Sequence, residues 1–299
     1  MKKKVDLHMH TTASDGEDSP RKLVLVAQER RVELISITDH DSLGALAEAA
    51  LEAQSRNIGF INGVELSVVF RHRLYHNGGR DVELHLLGYR FDAQNQPLSS
   101  ALEEFGAYRV WRAAEITKRV NAVLSREGKP LVSHAEFDRL KKSVEGSLGR
   151  PHLARLLITK GIVATKQEAF DKYLVSCDVP KKQLSLQAGT ALIRDAGGLA
   201  VLAHPYGDDN FSLKKITEDI RQHAEIIESM KSHIDGVECY YWNHTAAQAR
   251  IYVEIAKGLK MAVTAGSDHH GGLERDRLGR IDVPSEIVDD IFSRFTVAV

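Results

Sequence analysis

The chain has 299 residues, 43% of them hydrophobic and 27% charged, with a formal net charge of −1. That composition excludes a disordered chain and a small disulfide-stapled scaffold, and near-neutrality argues against a nonspecific nucleic-acid binder. The two cysteines, Cys177 and Cys239, are far apart, so a reducing compartment is expected. No apolar run reaches the roughly 18 residues needed to span a bilayer. Met1-Lys2-Lys3-Lys4 leads into Val5-Asp6-Leu7-His8, where a secretory signal would need an apolar stretch. A cytoplasmic protein is expected, with no membrane association and no obligate protein partner.

Residues 4–9 read as a strand. Ser19-Pro20 has the form of a helix cap followed by proline at the first helical position, opening a helix to about Arg31. A buried strand over Val32–Thr38, a helix over Ser42–Gln54 and strands over Ile58–Glu65 and Val82–Phe91 come next, with a glycine-containing loop at Arg71–Arg80. From about Pro97 strand signals stop. Leu98–Arg126 reads as one long helix, and Ser133-x-x-Glu136 and Thr165-x-x-Glu168 as capping boxes. Strand and helix then alternate again: helix 186–196, strand 199–203, helix 213–232, strand 236–241, helix 246–257 and strand 261–265. The expectation is a parallel α/β barrel from residues 1–96 and 191–299, interrupted by a helical insertion over 97–190 that covers the substrate.

Charge matches this division. Residues 101–190 carry 16 Lys and Arg against 10 Asp and Glu, whereas the remainder carries 24 against 31. A basic segment facing an acidic one suits an anionic substrate held between cations and metal ions.

The chemistry concentrates after the strand-like runs. Asp6-Leu7-His8-Met9-His10 puts two imidazoles two residues apart, on one face of an extended chain. Asp15, Thr38-Asp39-His40-Asp41, Gly63-Val64-Glu65, Glu83-Leu84-His85, Ala203-His204-Pro205 and Gly266-Ser267-Asp268-His269-His270 accompany it. Imidazole and carboxylate together, without cysteine, suit Zn, Mn or Fe. Asp39 is read as an outer residue holding an imidazole in place, although Asp39 and His40 could also cap the next helix. Asp15 beside Gly16 could be a turn residue, and His85, inside a strand, a core histidine. Glu238 and His244 are open between a supporting or substrate-facing role at the site and a structural one.

In these motifs and their order the chain resembles the polymerase and histidinol phosphatase (PHP) superfamily over nearly its whole length. The Gly149-Arg150-Pro151-His152 segment inside a helical insertion looks most like the branch that contains RNase AM and 3′,5′-nucleotide bisphosphatases. The resemblance implies a distorted seven-stranded (β/α) barrel holding two or three divalent ions. One ion would take His8, His10, Glu65 and Asp268; a second would share Glu65 and add His85 and His204; a third would use Asp15, His40 and His270. It implies a metal-dependent phosphoesterase acting on a 3′,5′-bisphosphorylated nucleotide or the 5′ end of a short RNA. Glu65 and Asp268 would be catalytic through the ions, with Arg150 and His152 catalytic and phosphate-binding, since an Arg fork matches phosphate oxygens. Arg150 and His152 could instead be a surface pair at a helix start. A histidinol-phosphate phosphatase, an amidohydrolase and a noncatalytic metal-holding module are the alternatives. Phe105, Tyr108 and Trp111 read as core, and His72, His76, His134, His223, His233 and His269 as surface.

Overall fold

The computed structural model describes residues 3–75, 81–144, 147–208, 210–272 and 277–296. Seven strands form one sheet in simple sequence order: β1 (Val5–Asp6), β2 (Leu34–Ile37), β3 (Gly59–Phe70), β4 (Val82–Tyr89), β5 (Leu199–Leu202), β6 (Gly236–Tyr241) and β7 (Ala262–Gly266). The ends of this sheet curl together. Leu7 donates its N–H to Ala265 O at 2.9 Å, and Met9 bridges His269 in parallel, which nearly closes a barrel.

Helices α1 (Pro20–Glu29), α2 (Leu46–Ser55), α7 (Leu186–Asp195), α8 (His223–Ser229), α9 (Ala246–Gly258) and α10 (Ser285–Phe295) belong to this barrel. The cap reading at α1 holds: Ser19 Oγ accepts from Lys22 N, and Pro20 is the first helical residue. Leu34, Ile37, Leu66, Leu86, Val201 and Val237 on the strands and Leu7 just beyond β1 are buried in one core with Ile193, Tyr252 and Ile291 of the helices.

The sheet is not wholly parallel, contrary to expectation. β4 runs antiparallel to both β3 and β5. Among the described residues no helix lies between β3 and β4, and without a crossover the second strand returns in the opposite direction. Two helix expectations also change. Residues 213–232 break into short 3-10 turns at Leu213–Lys215 and Ile220–Gln222 before α8. Thr217 Oγ1 accepts from Asp219 N and Asp219 Oδ1 from Arg221 N, so side chains take backbone donors that a continuous helix would use. Helix α10 was not read from the sequence, although Ile287, Val288, Ile291 and Phe295 give it a buried stripe.

The segment between β4 and β5 forms α3 (Gln96–Arg126), α4 (His134–Ser143), α5 (Arg150–Thr159), α6 (Lys166–Ala169) and a π-turn over Phe170–Leu174. A second core lies here, with Ile116, Val120, Leu124, Leu153, Leu157, Tyr173 and Leu174 buried together. Helix α3 serves both cores: Leu98 and Leu102 belong to the barrel, and Ala113 to Leu124 to the helical cluster. Ser133 and Glu136 form the expected reciprocal cap; at α6, Thr165 caps Glu168 N while Glu168 accepts instead from Ala164 N.

Of the aromatic stripe on α3 only Phe105 packs against the barrel core. Phe105 is half-buried, Tyr108 donates to Pro180 O, and Trp111 is exposed. Of the histidines read as surface, His223 and His269 are fully buried and His72 nearly so, whereas His134 is exposed and His233 half-buried. His76 lies outside the described residues. His223 is held by Tyr252 OH at 2.6 Å and Thr217 O at 2.9 Å, partners that helix geometry supplies and sequence spacing does not reveal.

Strand β3 approaches β2 closely because residue 63 has no side chain. A Cβ on Gly63 would lie 2.1 Å from Ser36 Oγ and 2.6 Å from Ile37 O. Backbone must move to admit it. Gly63→Ala is expected to cost about 1–3 kcal/mol, read as a lower urea midpoint with unchanged slope; an unchanged midpoint would contradict this packing.

Candidate metal centre

The site is built at the barrel mouth by chain segments that hydrogen-bond to one another. Beyond β1, Met9 N donates to Thr38 Oγ1 and His10 N to His269 O, keeping residues 7–10 extended. Met9 is buried on one face, so His8 and His10 share the other. Next to them, Asp41 N donates to Glu65 O at 2.9 Å and Glu65 N to Asp39 O at 3.3 Å, which sets His40 against Glu65. β4 places His85 opposite Ser67 of β3. Because β4 is reversed, His85 reaches the mouth from the middle of its strand. After β5 and β7 the chain turns through His204 and Asp268 with φ of 24° and 49°, and Asp268 N donates to His8 O. Such left-handed non-glycine residues are uncommon and concentrate at functional sites.

The Glu65 carboxylate is the centre of the arrangement. His85 Nδ1 and His204 Nε2 lie 2.9 and 3.2 Å from its Oε1; His8 Nε2, His10 Nε2 and His40 Nδ1 lie 3.2, 3.1 and 3.2 Å from its Oε2. Asp268 Oδ1 approaches His8 and His10 at 3.4 and 3.1 Å, and Asp15 Oδ1 approaches His270 Nε2 at 3.2 Å. Three sets have ligand atoms within 4.8 Å of one another: His8, His10, Glu65 and Asp268; His40, Glu65 and His85; and His10, Asp15, His40 and His270. Eight of the nine residues named from sequence fall in these sets, and the ninth, His204, meets them at Glu65 Oε1. The expected grouping, in which Glu65 alone is shared, changes: His10 joins the first and third sets, and His40 the second and third, standing in the second where His204 was expected.

A divalent cation fits these atoms. His8 Nε2, His10 Nε2, His40 Nδ1, Asp15 Oδ1 and Glu65 Oε2 are buried and have no hydrogen-bond partner among the described residues. Buried polar atoms are normally satisfied, and a ring of inward-facing nitrogens and carboxylate oxygens is what a cation completes.

Outer partners fix the ring orientations. Glu238, fully buried, accepts from His8 Nδ1 at 3.0 Å and from His204 N at 2.8 Å, which leaves His8 Nε2 facing the centre. Tyr241 donates to Asp268 Oδ2 at 2.8 Å. Asp39 is not a helix cap and touches no imidazole. It accepts from Thr11 N, Thr11 Oγ1 and Ser14 Oγ, and reaches His10 only through Ser14, whose hydroxyl is 3.5 Å from His10 Nδ1. His244 hydrogen-bonds to none of the ligand side chains: its Nδ1 bonds Cys239 O and its Nε2 accepts from Tyr206 N, burial lowers it to about 4 and keeps the ring neutral, and it lines a separate cavity with Tyr241 and Trp242.

Burial opposes charge on every group here, and the mixture of signs outweighs it at most. Burial alone would raise the Glu65 carboxyl, but His85, His8 and His40 hold it well below the usual range; His270 and His8 do the same for Asp268. Burial pulls His10 down, yet Asp268 and Glu65 beside it raise it to about 10. His40 behaves oppositely, held low chiefly by burial.

A cavity of 230 Å³ opens on the His40 and His85 side, and its wall is cationic. Arg109, Arg112, Arg150 and Lys181 line it with Asp15. Asp178 holds Arg112 and, at 2.8 Å, Arg150; Asp41 holds Arg109; Glu83 holds Lys181 at 2.7 Å. Arg150 lines the same cavity as His40 and His85. His152 does not line this cavity: it is buried, and its Nδ1 accepts from Gly149 N at 3.1 Å at the start of α5. Arg109, Arg112 and Lys181 were missed from sequence; the signal was the three-residue spacing of Arg109 and Arg112 on one long helix.

A model of the PHP domain matches residues 6–176. The chain belongs to the PHP family. Over 275 residues it is 30% identical to the 5′-3′ exoribonuclease of Haemophilus influenzae, spanning 90% of this chain and 91% of that protein. It is 29% identical over 280 residues to the 3′,5′-nucleoside bisphosphate phosphatase of Chromobacterium violaceum, spanning 91% of this chain and 89% of that one. A crystal structure from Bifidobacterium adolescentis, described as a metal-dependent phosphoesterase, superposes with a TM-score of 0.77 at 24% identity over 99% of this chain and 98% of the other. The seven-stranded PHP barrel expected from sequence is therefore the fold.

Glu238 supplies a test of how this PHP centre is supported. Glu238→Gln keeps the shape but removes the charge that polarises His8, and is expected to weaken divalent-ion binding by about 10- to 100-fold. Calorimetric titration of the ion-free protein measures this, with circular dichroism unchanged. Wild-type affinity in the variant would show that His8 does not depend on Glu238.

Proposed function

We propose that this PHP-family protein is a phosphoesterase that hydrolyses a phosphate ester at a 5′-phosphorylated nucleotide end, in a 3′,5′-bisphosphorylated nucleoside or a short RNA. The observation that carries the reading is the meeting of four cationic side chains, Arg109, Arg112, Arg150 and Lys181, with His40, His85 and Asp15 in one small cavity. A terminal phosphate bound there would touch both the cations and the ligand cluster.

His8, His10, Glu65 and Asp268 would hold one ion, Glu65 with His85 and His204 a second, and Asp15, His40 and His270 a third. Bound there, divalent ions of the Mn, Zn or Fe type supply a water made nucleophilic at neutral pH and neutralise charge on the phosphoryl oxygens. The protein's own part is orientation. Glu238 and Ser14 aim His8 and His10 inward, and Tyr241 fixes Asp268. Arg150 presents a planar fork to phosphate oxygens, steadied by Asp178 and by Phe170, whose ring centroid is 5.4 Å from the guanidinium carbon. His152 positions that fork by fastening the first turn of α5.

Phosphate and nucleotide release from the metal-loaded protein should be measured over bisphosphorylated nucleosides, 5′-phosphorylated oligoribonucleotides, histidinol phosphate and simple amides. Turnover confined to histidinol phosphate or to amides would overturn the reading. Arg150→Ala and Arg150→Lys are both expected to lower kcat/KM on the nucleotide and RNA substrates by about 10- to 150-fold, the value of one charge-assisted contact of roughly 1.5–3 kcal/mol. Metal content should stay normal. Bis(p-nitrophenyl) phosphate, which has no terminal phosphate to clamp, should lose much less; equal losses on all substrates would assign Arg150 to the fold or the metal centre.

A further inference from the structure

The centre opens on a second side that the phosphate pocket does not use. A cavity of 470 Å³ meets Asp15, Asp268 and His270, and a neighbouring cavity of 650 Å³ lies farther out. Tyr241, Trp242 and Arg277 line both, so the two form one path leading away from the metal ligands.

The inner cavity mixes the carboxylates Asp15, Glu17, Asp208 and Asp268 with Arg155, Lys166 and Arg277, whereas the outer part of the path is aromatic and cationic. Trp242 keeps 41% of its surface exposed, which is unusual for so large an apolar ring, and the Arg277 guanidinium carbon lies 3.5 Å from its ring centroid. The outer cavity adds Tyr240, Arg250 and Arg280, with Asp282 the single carboxylate among its described lining residues. An apolar ligand would not need the guanidinium groups, and a small anion would not need a volume of 650 Å³. Exposed ring faces combined with arginines along a groove are how proteins hold single-stranded nucleic acid, because every base has a face to stack and every linkage a charge to neutralise.

We infer that this groove binds the RNA chain downstream of the nucleotide being released, with a base stacked on Trp242 and backbone phosphates passing Arg277, Arg250 and Arg280. The inference rests on the phosphoesterase reading above and narrows its substrate to a chain of several nucleotides. The cationic pocket on the His40 and His85 side takes the 5′ end; the groove on the Asp268 and His270 side takes the nucleotides toward the 3′ end. A mononucleotide ends before the outer cavity and gains nothing from it.

Trp242 reports on its own occupancy. The chain has two tryptophans, and Trp111 is 51% exposed on α3, so Trp111→Phe leaves Trp242 as the only one. Phosphorothioate-linked, 5′-phosphorylated oligoribonucleotides of two, four and six units, and a bisphosphorylated mononucleoside, would be titrated into this metal-loaded variant. Oligomers should quench Trp242 fluorescence and bind about 5- to 150-fold more tightly than the mononucleoside, as for one stacked base. Arg250→Gln combined with Arg280→Gln should flatten the gain with length and reduce the slope of log Kd against log salt by about 1.4, for two lost phosphate contacts. Length-independent affinity with no quenching, in an enzyme that turns over nucleotide and RNA, would overturn the groove alone. Absence of turnover on every phosphorylated nucleotide and RNA would overturn the phosphoesterase reading, and the groove with it.

Discussion

One carboxylate organises the barrel mouth: both oxygens of Glu65 are faced by imidazoles, two at Oε1 and three at Oε2, all within 3.2 Å. An unpaired buried carboxylate is costly, as are buried imidazolium groups without counter-charge. Each therefore needs the others or a cation. The imidazoles come from the ends of β1, β2 and β5 and from within β4, so their meeting at one residue of β3 requires the sheet to curl until its first and last strands touch. The Leu7 and Met9 contacts to the chain at and after β7 complete that closure. Fold and site are in this sense one constraint.

The helical segment is tied to the same place. Ser147 N donates to Ala13 O at 3.0 Å and Arg155 Nη2 to Asp15 O at 2.8 Å, so two points of the segment hold the loop that carries Asp15. That loop is also fixed from below by Asp39 through Thr11 and Ser14. The cationic wall and the ligand cluster are thus held in register by hydrogen bonds to one short turn. Among the described residues no helix is long and apolar enough to cross a membrane, and α3 spends its length joining two cores.

Sequence revealed the histidine and carboxylate cluster because the chemistry is local: a histidine pair two residues apart and short polar clusters after apolar strands are visible without a structure. The direction of β4 was not visible, since a period of two is the same whichever way a strand runs. The sharing of His10 and His40 between ligand sets was hidden for a different reason, being a property of distances across the barrel. Arg109, Arg112 and Lys181 lie outside any short motif; the two arginines reach the site because α3 passes over it, and Lys181, in the chain leading to α7, is held there by Glu83 of β4. His223 and His269 looked like surface residues because their partners, Tyr252 and Asp18, are set by packing. Asp39, expected to hold an imidazole, instead bonds the Thr11 and Ser14 hydroxyls, a partner choice that residue type alone does not specify.

Glu65 is where the central claim is most directly tested. Glu65→Gln keeps the side chain's size and removes its charge, so bound metal and turnover should be measured together, by elemental analysis and phosphate release. The expected result is loss of metal from both sides of residue 65 and turnover lowered by at least about 100-fold, the scale of losing a principal charge-stabilising group. Unchanged metal stoichiometry with near-normal turnover would contradict the central place given to this carboxylate.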